Sequence, residues 1–407
     1  MAEPSTKDFE GLRNLLEGTA VQPSFRDLSR RRLQRTQMSA LAAVAAGLAL
    51  VMTGALLAPR PATRVAPVDP VPSSTAVPGG DSFWSPPIAP VGVGSTVVAL
   101  ADACDPACAA RRGETRRVLI ASDDAGRTWR IQSPPTWSLS DATLIADDRD
   151  LWMWFPTMGQ VAYSSNAGGT WTVADGGPTG GSESRVWAGD GVLWVDATDG
   201  LYRFDRARDT RRASRPAAGE IMLIVPIDAD HALAAVTASP PNGQLLNIDW
   251  YVTADRGASW IAVVSPCTAS PVPQPYRVAG TRAPDGSLWV ACSGLPHDLR
   301  SRNVVMVSTD QGLSWRATAD AEEFGVVTHI TAFSATEAWR WGDRTSVYRT
   351  EDATQWTDVG ITTEPPGFVL PLVGGTAVTN DRNGLGVRVL VTNDGGRTWQ
   401  SYPITMP

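Results

Sequence analysis

The stretch SDDAGRTW at 122–129 gathers two carboxylates, a guanidinium, a hydroxyl and an indole. Paired carboxylates can ligate a divalent cation or act as general acid and base. Comparable chemistry sits in two further acidic strings. Asp147, Asp148 and Asp150 in IADDRD, and Asn380, Asp381 and Asn383 in TNDRNG, have the composition of calcium loops. Cys104, Cys108, Cys267 and Cys292 could hold zinc or pair as disulfides.

Recurrence decides the first case. SNAGGTW follows Ser164 and ends at Trp171, TADRGASW spans 253–260, STDQGLSW spans 308–315 and TNDGGRTW spans 392–399. RTEDATQW, ending at Trp356, reads as a degraded copy with Glu351, Ala353 and Gln355 at the Asp, Gly and Thr positions. The template is S/T-x-D-x-G-x-S/T-W. Asp124, Asp255, Asp310 and Asp394 are then turn-makers, because an Asp side chain accepts bonds from the amides of its own turn. Gly126, Gly168, Gly257, Gly312 and Gly396 supply positive φ. Asn166 replaces Asp in the second copy, and an amide can form the same turn but cannot ionise. A general acid would not be repeated around a whole molecule.

The elements that position these turns follow from their spacing. Trp129, Trp171, Trp260, Trp315, Trp356 and Trp399 are separated by 42, 89, 55, 41 and 43 residues, the gap between Trp171 and Trp260 being about double the usual one. RVWAGDGVLWVDATDGLYRFDRARDTRRAS at 185–214 supplies the missing unit, without its Gly and Trp. A period of 40–50 residues (roughly) with four short alternating strands per unit predicts an all-β, seven-bladed β-propeller over residues 85–407. The second unit reads TLIADD, DLWMWFP, QVAYSS and TWTVAD as its four strands, with the motif at the third turn. The acidic strings at 147–150 and 380–383 then fall at ordinary hairpin turns, so no metal is expected. Of the tryptophan pairs Trp152/Trp154 and Trp339/Trp341, one member each should pack between blades and the other be partly exposed.

On these motifs the sequence resembles the Asp-box (BNR) repeat propellers, which include sialidases, sortilin-type receptor ectodomains, xyloglucan-active hydrolases and photosystem assembly-factor propellers. The resemblance implies the fold and leaves activity open. Its sialidase branch implies an arginine triad, a Tyr–Glu nucleophile and an aspartate acid/base, with an Arg-Ile-Pro motif ahead of the first box. No Arg-Ile-Pro occurs, the nearest strings being Arg130-Ile131-Gln132 and Tyr276-Arg277-Val278. The expected innermost strands also carry almost no arginine. A non-catalytic binding or assembly module is therefore expected, with an exo-acting, sialidase-type glycoside hydrolase as the alternative. No cofactor is implied.

In a four-stranded blade the motif turns share one face, and the long insertions at 101–115, 237–249, 265–276 and 293–303 share the other. Long loops on a rigid scaffold are where partners bind. Arg111, Arg112, Tyr276, His297, Asp298, Arg300 and Arg302 are the candidate contacts for an envelope protein or glycan. All four cysteines lie on this face, and Cys104–Cys108 and Cys267–Cys292 are the expected disulfides.

Residues 38–58 are free of charge and long enough to cross a bilayer core, and RRRLQR at 30–35 precedes them. The expectation is a cytoplasmic tail (1–37), a single transmembrane helix (38–58), a Pro-rich linker (59–84) and an extracytoplasmic propeller at the plasma membrane. A cleaved signal peptide is the competing reading, with an unusually long polar leader. Phe9, Leu12, Leu15 and Leu16 share one helix face at 9–18, which could dock a cytosolic partner. Formal net charge is −7, and the acidic excess lies beyond residue 37. Such a body lacks the basic footprint that nucleic acid requires.

Overall fold

The computed structural model describes residues 83–84, 88–104, 116–135, 138–147, 149–174, 176–178, 184–206, 210–238, 247–269, 275–294, 303–318, 326–342, 346–359, 369–380 and 388–404. The tail, the apolar span at 38–58 and the stalk up to residue 82 lie outside them. Among the described residues no helix is long and apolar enough to cross a membrane.

The described chain forms seven antiparallel sheets, each built on a meander of four consecutive strands, with Phe83–Trp84 as a fifth strand on the first. The first strands of the blades are Ile88–Val93, Thr143–Ala146, Arg185–Gly189, Glu220–Pro226, Arg277–Arg282, Val327–Ala332 and Val369–Pro371. They approach one another around a common axis, so they are the innermost. This is a seven-bladed β-propeller.

The strands alternate less in burial than their sequences suggest. The second strands Leu151–Phe155 and Leu288–Ser293 are buried along their whole length. Each sheet packs on a neighbour with both faces, so its middle strands see protein on either side. Consequently Trp152 and Trp154 are both buried, at 1% and 2% exposure, where one was expected to be partly exposed. In the other pair Trp339 is buried and Trp341 is half-buried.

Seven hydrophobic clusters fill the seven seams between adjacent blades. The seam between blades seven and one is packed like the others, with Val97, Ile120 and Trp129 meeting Leu372, Val378 and Val391. Arg127 adds a bond across that seam to the Tyr402 hydroxyl. All four strands of blade seven come from the C-terminal end of the chain. The ring therefore closes on side-chain packing, without a strand exchanged from the N-terminal segment. Phe83–Trp84 pairs with Ala103 and Cys104 of its own blade instead.

Three innermost strands break register near their first residues. The irregularities lie between Ile88 and Val91, between Ile221 and Leu223, and between Val327 and His329. An extra residue in one strand re-aims the side chains around it. All three fall at the end of the channel opposite the repeat turns, which matters for the site below.

Candidate functional site

The repeat turns are self-contained hydrogen-bond units. In the first, the Ser122 hydroxyl donates to Asp124 Oδ1 at 2.8 Å and accepts from the Gly126 amide at 2.7 Å. Asp124 also accepts from the Thr128 amide (2.8 Å) and hydroxyl (2.7 Å), so both its oxygens are engaged. The pattern repeats with Thr253/Asp255/Ser259, Ser308/Asp310/Ser314 and Thr392/Asp394/Thr398. In the second copy Asn166 accepts from Thr170 N, and its amide nitrogen donates to the Thr170 hydroxyl at 3.1 Å. Burial alone would raise Asp124, but the bonds from Thr128 and Ser122 outweigh it and hold it below the usual carboxylate range. The Thr398 hydroxyl, followed by its amide, lowers Asp394 to about 2. A carboxylate so stabilised as the anion is a poor proton carrier at neutral pH.

The residue before each of these glycines is left-handed too, although its side chain is not always small: φ is 59° at Ala125, 65° at Arg256 and 62° at Gln311. At the next position Gly257 (φ 81°) packs so tightly that an added Cβ would lie 2.6 Å from the Trp194 ring. The motif tryptophans reach the preceding blade. Trp171 donates to the Ser133 carbonyl and Trp260 to the Ser214 carbonyl.

Blade six corrects the sequence alignment. Its turn carboxylate is Asp352, not Glu351: Asp352 Oδ1 accepts from the Thr354 and Gln355 amides and from the Thr350 hydroxyl. Ala353, with φ 53°, matches Ala125 rather than a glycine. The turn is one residue shorter than its siblings, and aligning it on the tryptophan shifted the aspartate out of place. Glu351 instead pairs with Arg349.

Of the two acidic strings, the one at 147–150 is built for the scaffold. Asp147 caps amides of Arg149, Asp150 and Gly191, and burial raises its carboxyl above the usual range. Asp150 is paired with Arg206 and bonded to the Tyr163 hydroxyl. Among the described residues no cluster of His, Cys, Asp or Glu is arranged to hold a metal ion. Asp148, Asp381 and Asn383 lie outside them.

Two vestibules occupy the axis. The one on the repeat-turn side is about 300 Å³, and all seven innermost strands line it, with Pro90, Pro226, Pro284, Phe333, Leu370 and Val373 prominent. The one on the insertion side is about 820 Å³, and only blades three to six line it. Trp187, Gly280 and Thr331 border both, so this layer separates them.

The insertion-side vestibule holds the chemistry. Its rim carries Arg185, Glu220, Tyr276, Arg277 and His329, above a wall of Met222, Leu223, Val278 and Trp341. Two of the register irregularities place Met222 and Thr328 here. Glu220 pairs with Arg185, whose guanidinium also donates to the Ile221 carbonyl at 2.9 Å. The His329 ring lies flat on Trp341, with centroids 5.1 Å apart and planes 5° apart. Its remaining edge is exposed, yet crowding and the nearby Arg277 hold it below the usual histidine range.

Of the candidate contacts, Tyr276 borders this vestibule and is 43% exposed. Arg111, Arg112, His297, Asp298, Arg300 and Arg302 lie outside the described residues, as do Cys108 and the side chain of Cys104. Cys267 and Cys292 are bonded, with Cα atoms 5.9 Å apart, joining blades four and five beneath the same face. The expectation of nearly arginine-free innermost strands is corrected: Arg185, Arg277 and Arg282 all stand on them. RVWAG and RVAGTR open with a charge on an apolar strand, the one signal that pointed to this rim.

No family model matches this chain, and no curated protein matches it. Among solved structures it is similar to YCF48 from Cyanidioschyzon merolae, at 16% identity and a TM-score of 0.43 over 65% of this chain and 86% of that one. YCF48 bound to D1 peptide gives 14% and 0.44, over 75% and 96%. A GH74 enzyme from Niastella koreensis gives 12% and 0.30, over 76% of this chain and 61% of that one. Likenesses this distant bear on no activity.

Proposed function

We propose that this chain is a non-catalytic binding module for a protein partner, with the insertion-side vestibule as the ligand seat. One observation carries the reading. Blades that are otherwise buried against each other turn Tyr276, Arg277 and His329 outward into a single cavity of about 820 Å³. That volume is within the range of ligand sites, roughly 300–1,000 Å³. A glycoside hydrolase needs two carboxylates flanking the scissile bond. Among the described lining residues there is one, Glu220, and it is tied to Arg185.

We further propose that residues 38–58 anchor the chain in the plasma membrane and that 59–84 hold the propeller outside the cytoplasm. The Cys267–Cys292 bond supports this, since such bonds persist in oxidising compartments. The partner is then an envelope protein, and any cytosolic partner would meet residues 9–18.

A photo-crosslinking side chain installed at Tyr276, and separately at Val373 in the other vestibule, tests the seat in intact cells. Adducts with a discrete protein from position 276 alone are expected. Adducts from position 373 alone, or from neither position, would sink the proposal.

A further inference from the structure

Within the vestibule read above as the ligand seat, the charges are unequal. Glu220 is committed to Arg185. Among the described residues no carboxylate lies within ion-pair distance of Arg277, which is exposed at the start of its strand. His329 stands on the neighbouring innermost strand, where the irregularity at Val327–His329 displaces it toward the opening. Its Nδ1 is occupied by the Thr328 hydroxyl at 2.8 Å, and Nε2 has no protein partner among the described residues. One ring face is covered by Trp341.

We propose that the vestibule is an acid-responsive seat for a carboxylate on a peptide, in which Arg277 receives the carboxylate and a proton on His329 adds the second charge. The inference rests on the binding-module reading. Arginine presents a planar fork that matches a carboxylate. An imidazolium stacked on an indole is favoured by the ring's quadrupole, so Trp341 supports the charged form once a carboxylate arrives.

The groups facing His329 fix the sign. Arg277 on the adjacent strand opposes protonation, while Trp341 and Thr328 are neutral. Across the vestibule Arg185 and Glu220 offset each other, and Tyr276 adds a phenol hydroxyl to the rim. Arg340 lies on the other face of its strand, over Tyr348 and Trp356. The empty vestibule therefore keeps His329 neutral at neutral pH. A bound carboxylate offsets Arg277 and draws the proton on. Affinity then rises as pH falls from neutral into the acid range, until the ligand's own carboxyl protonates near pH 4 (roughly).

A peptide fits the lining better than a glycan. A sugar carries a hydroxyl on most carbons and needs many amide and carboxylate partners. The described lining has no Asn or Gln, and its wall is Met222, Leu223, Val278, Ile330 and Trp341. The matching segment has Asp, Glu or a terminal carboxylate beside an apolar side chain.

The test is selection of a displayed library of short random peptides on the full chain, at about pH 5.5 and about pH 7.5. Peptides with an acidic residue next to an apolar one are expected, binding roughly tenfold more tightly at the lower pH. His329→Gln should abolish the pH dependence, whatever it does to the affinity at about pH 7.5. Arg277→Gln should weaken binding at both pH values, and Arg277→Lys should recover part of it. Acidic peptides bound equally at both pH values, or a pH dependence that survives His329→Gln, would overturn the inference. So would a pool without acidic residues that Met222→Trp displaces, although it would leave the vestibule as a binding seat. No enrichment at all, or capture of uronate glycans instead, would overturn both readings.

Discussion

Asp150 of blade two and Arg206 of blade three pair across the seam between their blades, beside the one turn that has lost both its motif glycine and its tryptophan. Both Arg206 Nε (2.6 Å) and Nη2 donate to Asp150 Oδ2, while the Tyr163 hydroxyl donates to Oδ1 at 2.9 Å. Asp147 reaches the adjacent hairpin turn of blade three, between its first and second strands, through the Gly191 amide at 2.9 Å. An ion pair between blades thus stands beside this turn.

The Asp150 carboxylate is 2% exposed, so its partner cannot be removed without cost. Arg206→Met should destabilise the propeller by about 2–4 kcal/mol, less than a fully buried pair would lose because Arg206 itself is half open. Adding Asp150→Asn should restore much of that loss. A double-mutant cycle on thermal unfolding midpoints checks it, and additive losses would show that the two residues do not act as a pair.

The turn aspartates set an acid limit on stability. Asp124, Asp255, Asp310 and Asp394 all lie below their unfolded values, Asp394 at about 2. Groups depressed in the folded state stabilise it above the unfolded pKa and lose that contribution as pH falls through the folded pKa. The unfolding midpoint should therefore hold down to about pH 4 and fall steeply from there toward pH 2. Burial raises Asp147 and Asp196, so their protonation works the other way, and does so above the unfolded carboxyl value, as pH falls toward about 4. Asp394→Asn should flatten part of the decline, following the natural precedent of Asn166. An unchanged slope would remove these turns from the account.

The blades were legible in the sequence because each turn encodes itself. Ser122, Asp124, Gly126 and Thr128 bond to one another within a single turn, so their spacing carries the signal. The vestibule was not legible in the same way. Arg185, Glu220, Arg277 and His329 come from four blades and meet only when the ring closes. His329 additionally depends on a strand irregularity that no local pattern announces. Blade six shows the remaining weakness: a one-residue deletion leaves the tryptophan in place and moves the aspartate, so alignment on the larger side chain misleads.

Cys267 and Cys292 close a loop with a sequence separation of 25, and both are fully buried. Loop-closure entropy of that size corresponds to about 3 kcal/mol in the unfolded chain. Cys267→Ala with Cys292→Ala should lower stability by roughly that amount. Amide exchange should accelerate first in Leu288–Ser293 and the strands beside it. Uniform acceleration around the ring would mean that the bond acts on the propeller as a whole rather than on the seam between blades four and five.

The turn of blade six separates two carboxylates that stand side by side in sequence. Asp352 accepts the Thr354 and Gln355 amides and the Thr350 hydroxyl, and the Thr354 hydroxyl, followed by those amides, holds its carboxyl well below the usual range. Glu351 is itself exposed where it pairs with the half-buried Arg349, so its contact contributes roughly 0–1 kcal/mol. Arg349 keeps a second partner in Glu337, at 2.9 Å, so losing Glu351 does not strand it. Asp352→Ala should therefore lower the unfolding midpoint by at least roughly twice as much as Glu351→Ala. Asp352→Asn should fall between wild type and Asp352→Ala, because an amide oxygen can still accept from the Thr354 and Gln355 amides. The reverse order, with Glu351→Ala the more damaging, would mean that this unit keeps the register of its siblings and that its aspartate is incidental.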